Sequence, residues 1–230
     1  MNYNSKVKES LNSCFKHLHL KGNSSEKVIV MYSGGMDSVS LLWNLLEHTE
    51  QQIYVHAIHL HNAEGRHKAE AKAILDSIKY IQENQRSFTF SSSVYSWLAK
   101  GCGGRDMALA LFQSMRVAAG LGIAPTAVYT GDYNMAKEES AEAYGLLNAL
   151  STGKRFKPVW ATPFDYMTKT SVERSKGIYL SMPEPLRKMY WSCRRPTELN
   201  NEFMVCGECH ACVRQKAMKE SLNENKKTCK

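Results

Sequence analysis

Two short stretches of this 230-residue chain hold residue types at spacings that could do chemistry. The first, Ser33-Gly34-Gly35-Met36-Asp37-Ser38, begins just after the apolar run Val28, Ile29, Val30. A glycine turn between a strand and a helix lets the chain approach an anion closely, and it aims backbone N–H groups at that anion from the positive end of the helix. Ser33 and Ser38 add hydroxyl donors, and Asp37 could cap the helix or hold Mg2+ against phosphates. The stretch has neither the Gly-Lys-Ser/Thr of a Walker A loop nor the Gly-x-Gly-x-x-Gly of dinucleotide sites. An ordinary N-capped turn would explain the bend but not the serines on both sides of it.

The second stretch contains Cys193, Cys206, Cys209 and Cys212, a Cys-x12-Cys-x2-Cys-x2-Cys spacing able to surround one tetrahedral metal. Zn2+ is the leading candidate, and an iron–sulfur cluster, which also uses consecutive Cys-x2-Cys steps, is the rival. Gly207 allows the tight turn such a knuckle needs. Arg194, Arg195 and Arg214 read as cations that keep the thiolates ionised, His210 as an exposed residue rather than a fifth ligand, and Trp191 as packing beside the knuckle or stacking on a purine-like base. Of the other cysteines, Cys14 and Cys102 are assigned to packing or turns and Cys229 to the tail.

In composition, 43% apolar and 23% charged residues describe an ordinary globular chain. No stretch reads as a membrane span, and the start has no apolar block with a cleavage site, so a cytoplasmic location without a membrane partner is expected. Seven cysteines in such a compartment point to metal or thiol chemistry rather than disulfides. A net charge of +8 suits either nucleic acid or a polyphosphate ligand. The ending NENKKTCK reads as a solvated tail, so part of that charge says nothing about a site.

Helical spacing of Val7, Leu11, Phe15 and Leu18 predicts an N-terminal helix over 3–20. Strands are then expected at 27–32, 53–60, 87–93, 124–132 and 157–163, with helices at 38–48, 66–81, 106–121 and 137–150 between them. The alternation predicts an α/β fold: a doubly wound, parallel five-stranded sheet, binding its ligand where the strands end. After Pro183 the pattern breaks. The expected organisation is a body over 1–183, a small four-cysteine metal module over 184–220 and a flexible tail over 221–230.

SGGMDS after a first strand resembles the pyrophosphate loop of the N-type ATP pyrophosphatases, whose nucleotide-hydrolase-like fold cleaves ATP between its α and β phosphates. More particularly, YWSC at 190–193 with CGECHACVRQKA at 206–217 is similar to the C-terminal pattern of the 7-cyano-7-deazaguanine synthase family. GRHKAE at 65–70, GGRDMALALFQSMRVAAGLG at 103–122 and TPFDYMTK at 162–169 resemble, in order, further segments of that family. The resemblance implies two ATP-dependent rounds that turn a 7-carboxy-7-deazaguanine into a nitrile with ammonia, each releasing AMP and pyrophosphate.

Carried over, Tyr32, Ser33, Gly34, Gly35, Met36, Asp37, Ser38 and Val39 would bind ATP and Mg2+. Asp37, Ser38, Arg105 and Lys169 would be catalytic, and Arg66, Arg105 and Asp132 would meet the substrate. The implied partners are the deazapurine and ammonia rather than nucleic acid; a homodimer is left open. Arg66 and His67 also read as shaping a helix start, Asp132 as a turn cap, and Arg105 and Lys169 as solvated charges. The sequence departs from the family at Asp106, at Gly103-Gly104 and in GDYNMAKEES, around the expected acceptor. An amide product, conjugation of the deazapurine to a macromolecule, and RNA-modifying adenylation therefore stand as alternatives.

Overall fold

The computed structural model describes residues 25–97, 106–131, 137–151, 159–166 and 171–227. The N-terminal helix expected over 3–20, with Cys14, lies outside them. So do Cys102, Arg105, Asp132, Lys169 and Cys229.

The order of elements is β1 (Lys27–Tyr32), α1 (Met36–His48), β2 (Gln52–Asn62), α2 (His67–Asn84), β3 (Thr89–Trp97), α3 (Asp106–Leu121), β4 (Ala127–Tyr129), α4 (Lys137–Ser151) and β5 (Val159–Ala161). A 3-10 turn (Pro163–Tyr166), α5 (Ser171–Ser181), a second 3-10 turn (Leu186–Lys188), β6 (Thr197–Leu199), β7 (Glu202–Met204) and α6 (His210–Lys227) complete it. Strands β1 to β5 form one sheet in the order β3-β2-β1-β4-β5, and every pairing in it is parallel. The doubly wound, five-stranded expectation holds.

Alternation along β1 assigns its side chains to two cores. Val28, Val30 and Tyr32 pack with Leu41, Leu42 and Leu45 of α1 and with Ile74, Ile78 and Ile81 of α2. Ile29 and Met31 face the opposite side, against Leu111 and Met115 of α3 and Leu147 of α4. With both faces covered, the central strand reads as an unbroken apolar run, as buried parallel strands do. The strand order reverses at β1, which pairs with β2 on one side and β4 on the other, so the crevice for a ligand opens at its carboxyl end. Ser33 to Ser38 lie there.

Element ends shift by a few residues throughout, and the features that add most to the expectation are these. Strand β3 continues to Trp97, pairing residue by residue with β2 as far as Asn62 opposite Trp97. Its serines are ladder residues: the hydroxyls of Ser91 and Ser93 hydrogen-bond both ring nitrogens of buried His56, at 2.8 and 3.0 Å. Burial, then the nearby His59, pulls His56 down to about 4, so its ring is neutral at pH 7 and offers one donor and one acceptor to the two hydroxyls. The 184–220 segment contains the antiparallel hairpin β6–β7, turned at Asn200 and Asn201 with φ of +52° and +63°. Helix α6 runs through residue 220 to Lys227. Among the described residues, no helix is long and apolar enough to cross a membrane.

Candidate active site

The loop after β1 is held by its own serines. The Ser38 hydroxyl accepts from the Ser33 N–H at 3.2 Å, lies 3.1 Å from the Ser33 hydroxyl, and donates to the Gly35 carbonyl at 3.2 Å. Gly35 is the N-cap of α1 and supplies no side-chain cap, so the first-turn N–H groups are not closed off by the helix's own preceding side chain. Gly34 adopts φ +71°, and a Cβ there would stand 2.9 Å from the Ile74 side chain and 3.3 Å from the Glu70 carbonyl. Helix α2 therefore packs directly on the loop, and glycine is required for both reasons. Tyr32 turns its ring into the core, where its hydroxyl hydrogen-bonds Ser77 at 2.7 Å and burial raises its pKa. Met36 and Val39 are also buried, with the Val39 N–H donated to the Gly35 carbonyl at 2.9 Å.

A second layer comes from β4. Thr130 and Gly131 follow that strand and border the same cavity of about 520 Å3. A Cβ on Gly131 would stand 2.6 Å from the Asp37 carbonyl carbon and 2.7 Å from the Ser38 nitrogen.

The cysteine module supplies a third layer. Cys193, Cys206, Cys209 and Cys212 bring their sulfurs together, all within 4.8 Å of one another. Separations are 3.6 Å for Cys193–Cys206, 3.9 Å for Cys206–Cys212 and 3.5 Å for Cys209–Cys212. The N–H groups of Cys206 and Cys209 point at sulfur at 3.3 Å, and Gly207, at φ +78°, makes the turn between them. Burial pushes the Cys209 thiol up, but the N–H groups of Arg194 and Cys212 outweigh it and bring it down to about 6. Cys212 is pushed up to about 12, first by burial and then by its bond to Cys209. Cys206 is also lowered, first by the N–H groups of Cys209 and Glu208, so two of the four sulfurs are shifted toward the thiolate form that binds a metal. His210 is exposed and outside this group, as expected.

The arginines of the module act differently from the sequence reading. It is the backbone of Arg194 that reaches Cys209, while its guanidinium pairs with Glu64 at 3.3 Å. The Arg214 guanidinium reaches Asp37 at 3.3 Å, across 177 positions of chain. The Trp191 N–H donates to the Gly34 carbonyl at 2.9 Å, and the Met36 N–H to the Ser192 hydroxyl at 3.4 Å. Trp191 also donates its indole N–H to the Cys193 carbonyl at 2.9 Å and meets Phe203 edge-on. Residues flanking the first cysteine thus touch the loop itself.

Arg66, expected to meet the substrate, is gripped by carboxylates: Asp106 at 2.5 Å, Glu64 at 2.8 Å and Glu70 at 3.3 Å. It borders the same cavity as the loop. Asp106, at the start of α3 and one of the positions where the sequence departs from the family, is one of its partners. Glu70, Asp106, Trp191 and Arg214 were not among the expected site residues. For Arg214 the only local signal was its place two residues after the last cysteine, and nothing in the sequence links it to Asp37.

No protein-family model matches the chain. Among curated proteins it is similar to a 7-cyano-7-deazaguanine synthase from Methanoculleus marisnigri, 26% identical over 219 residues, which span 85% of this chain and 95% of that protein. Among solved structures it is similar to the U34-tRNA thiolase NcsA from Methanococcus maripaludis, determined with its 4Fe–4S cluster. That likeness has a TM-score of 0.52 at 15% identity over 96% of this chain and 73% of that one, and it bears on the fold alone. Both relatives are named as enzymes, and in this chain the glycine–serine loop lies at the switch point of the sheet. The chain is thus similar over most of its length to a 7-cyano-7-deazaguanine synthase, and it shares the fold of the tRNA thiolase.

Proposed function

We propose that the protein adenylates the carboxylate of 7-carboxy-7-deazaguanine with ATP and aminates it with ammonia to 7-cyano-7-deazaguanine, releasing AMP and pyrophosphate in each round. The observation that carries this reading is the loop: Gly34 at positive φ packed against Ile74, serine hydroxyls, and an α1 N-terminus without its own cap, with Ser33, Gly35, Asp37 and Ser38 bordering one cavity. The N–H groups of Gly35 and Met36 are met by hydroxyls at 3.3 and 3.4 Å, long bonds that phosphate oxygens would replace. Ser33, Gly34, Gly35 and Ser38 would clasp the β and γ phosphates, leaving the α-phosphorus open to the substrate carboxylate. Asp37 would hold Mg2+. Arg105 and Lys169 are assigned to charge on the α-phosphate and substrate carboxylate, and Asp132 to the acceptor.

Zn2+ is the proposed metal. Four sulfurs at about 2.3 Å from one tetrahedral ion stand about 3.8 Å apart, and the separations of 3.5, 3.6 and 3.9 Å match that edge. A four-iron cube carries its cysteines on separate corners and would hold them well beyond these distances. The ion is structural here: it fastens the segment that carries Trp191, Ser192 and Arg214.

The test is incubation with ATP, Mg2+, ammonium and 7-carboxy-7-deazaguanine, followed by mass spectrometry of the base. The nitrile is expected. Accumulation of the amide as the final product, or ATP consumption with the base unchanged, would overturn the assigned endpoint.

A further inference from the structure

Around Arg66 three carboxylates meet two guanidiniums. Arg66 holds Asp106, Glu64 and Glu70 at 2.5, 2.8 and 3.3 Å, and Arg194 holds Glu64 at 3.3 Å and Asp106 at 3.9 Å. Glu64 and Asp106 therefore each see both arginines. Glu70 pairs only with Arg66 among the described residues, at the longest of that residue's three contacts. Among the described residues the cluster sets three carboxylates against two guanidiniums, and Glu70, 9% exposed, has the fewest ion-pair contacts of the three.

This carboxylate is also well placed. It sits on the first turn of α2, whose Glu70 carbonyl and Ile74 pack against Gly34, and its side chain borders the cavity that the loop borders. A buried, under-neutralised anion facing a cavity attracts a small cation. Of the reactants in the proposed reaction other than Mg2+, ammonium is that cation, and it is unreactive until it loses a proton.

We propose that Glu70 binds the incoming ammonium and takes its proton, so that the amine subsite lies between the α2 N-terminus and the loop. This rests on the adenylation reading above. In the step, one N–H bond of ammonium breaks and its proton goes to a Glu70 oxygen. The freed nitrogen lone pair forms the C–N bond at the activated carbon. The C–O bond to the α-phosphate breaks, and AMP leaves with that electron pair. The nitrogen's remaining extra proton passes to water, and Glu70 returns its own proton to solvent before the next round.

The acid strength suits the task. Burial, reinforced by Asp106 and Glu64 and opposed by Arg66 and Arg194, pushes Glu70 up to about 7, so it both accepts and releases a proton near neutrality. A residue holding only a structural ion pair would have no reason to distinguish one nucleophile from another.

The experiment compares wild type with Glu70→Gln in two assays: ATP–pyrophosphate exchange dependent on 7-carboxy-7-deazaguanine, which reports adenylation, and product formation with ammonium or with hydroxylamine. Ammonium-dependent turnover is expected to fall by about 100-fold, the lower end for loss of a general base. Exchange should fall far less. Hydroxylamine, already neutral at pH 7, should restore much of the turnover. Parallel losses in exchange and in both nucleophile reactions would overturn the proposal and make Glu70 a positioning residue, and unchanged ammonium turnover would overturn it too. Absence of exchange in the wild type would instead strike the adenylation reading, and this proposal with it.

Discussion

Gly131→Ala is expected to cut kcat/KM for ATP by about 100-fold, the cost of displacing a reactive geometry by a fraction of an ångström to an ångström. The residue carries no side chain and no charge. Its effect is steric: the added methyl would sit 2.6 Å from the Asp37 carbonyl carbon, 2.7 Å from the Ser38 nitrogen and 2.9 Å from the Asp37 carbonyl oxygen. These are backbone atoms in the first turn of α1, so no side chain can rotate away. Either the loop shifts or the end of β4 does, and β4 is only three residues long. Overpacking of this kind costs about 1–3 kcal/mol of stability, which leaves most of the protein folded. Gly120 is the matched control: it lies in α3 with open space where a Cβ would be, and Gly120→Ala should raise stability by about 0.5–1 kcal/mol without touching turnover. Steady-state kinetics with thermal melts separates the two. Normal ATP kinetics for Gly131→Ala would show that the loop tolerates displacement and is not the phosphate cradle.

The second large effect is expected from the metal site, some distance along the chain from the chemistry. Cys209→Ser, or chelation of the wild type, should remove the metal, lower the thermal midpoint, and reduce ATP turnover by about 10- to 100-fold, as loss of supporting contacts around a site does. The reason is connectivity. Cys193 is preceded by Trp191 and Ser192, which hydrogen-bond Gly34 and Met36, and Cys212 is followed two residues later by Arg214, which reaches Asp37. Releasing the sulfurs releases the Trp191 and Arg214 contacts to the loop at once. Elemental analysis, melting and turnover on the same samples check this. A metal-free Cys209→Ser protein with full turnover would mean that the module is an appendage and does not position the loop.

What the sequence made legible was whatever is written locally. The five strands and intervening helices followed from apolar periodicity, the loop from its glycines after a strand, and the convergence of four cysteines from their spacing alone. Errors came where a pairing or a contact overrides local preference. Serines at 91 and 93 read as the end of a strand, yet β3 continues because His56 on the neighbouring strand satisfies both hydroxyls. The β6–β7 hairpin was legible in principle: Asn200-Asn201 is a pair that tolerates the left-handed region, between two short extended runs, and the cysteine pattern around it drew the reading elsewhere.

Arg214 and Gly131 were not legible at all. One is 177 positions from the carboxylate it meets, and the other matters only because β4 lies beside β1 in the sheet. Arg66 shows the converse. A lone arginine at a helix start looked free to bind substrate, and only the fold brings Asp106 from α3 and Glu64 from the preceding turn against it.

The central claim is that the loop between β1 and α1 grips the departing diphosphate. Phosphorus NMR of the products formed from ATP, Mg2+, 7-carboxy-7-deazaguanine and ammonium tests it most directly. AMP and pyrophosphate in equal amounts are predicted; ADP with inorganic phosphate would contradict the account, because the loop would then be handing over the terminal phosphoryl group.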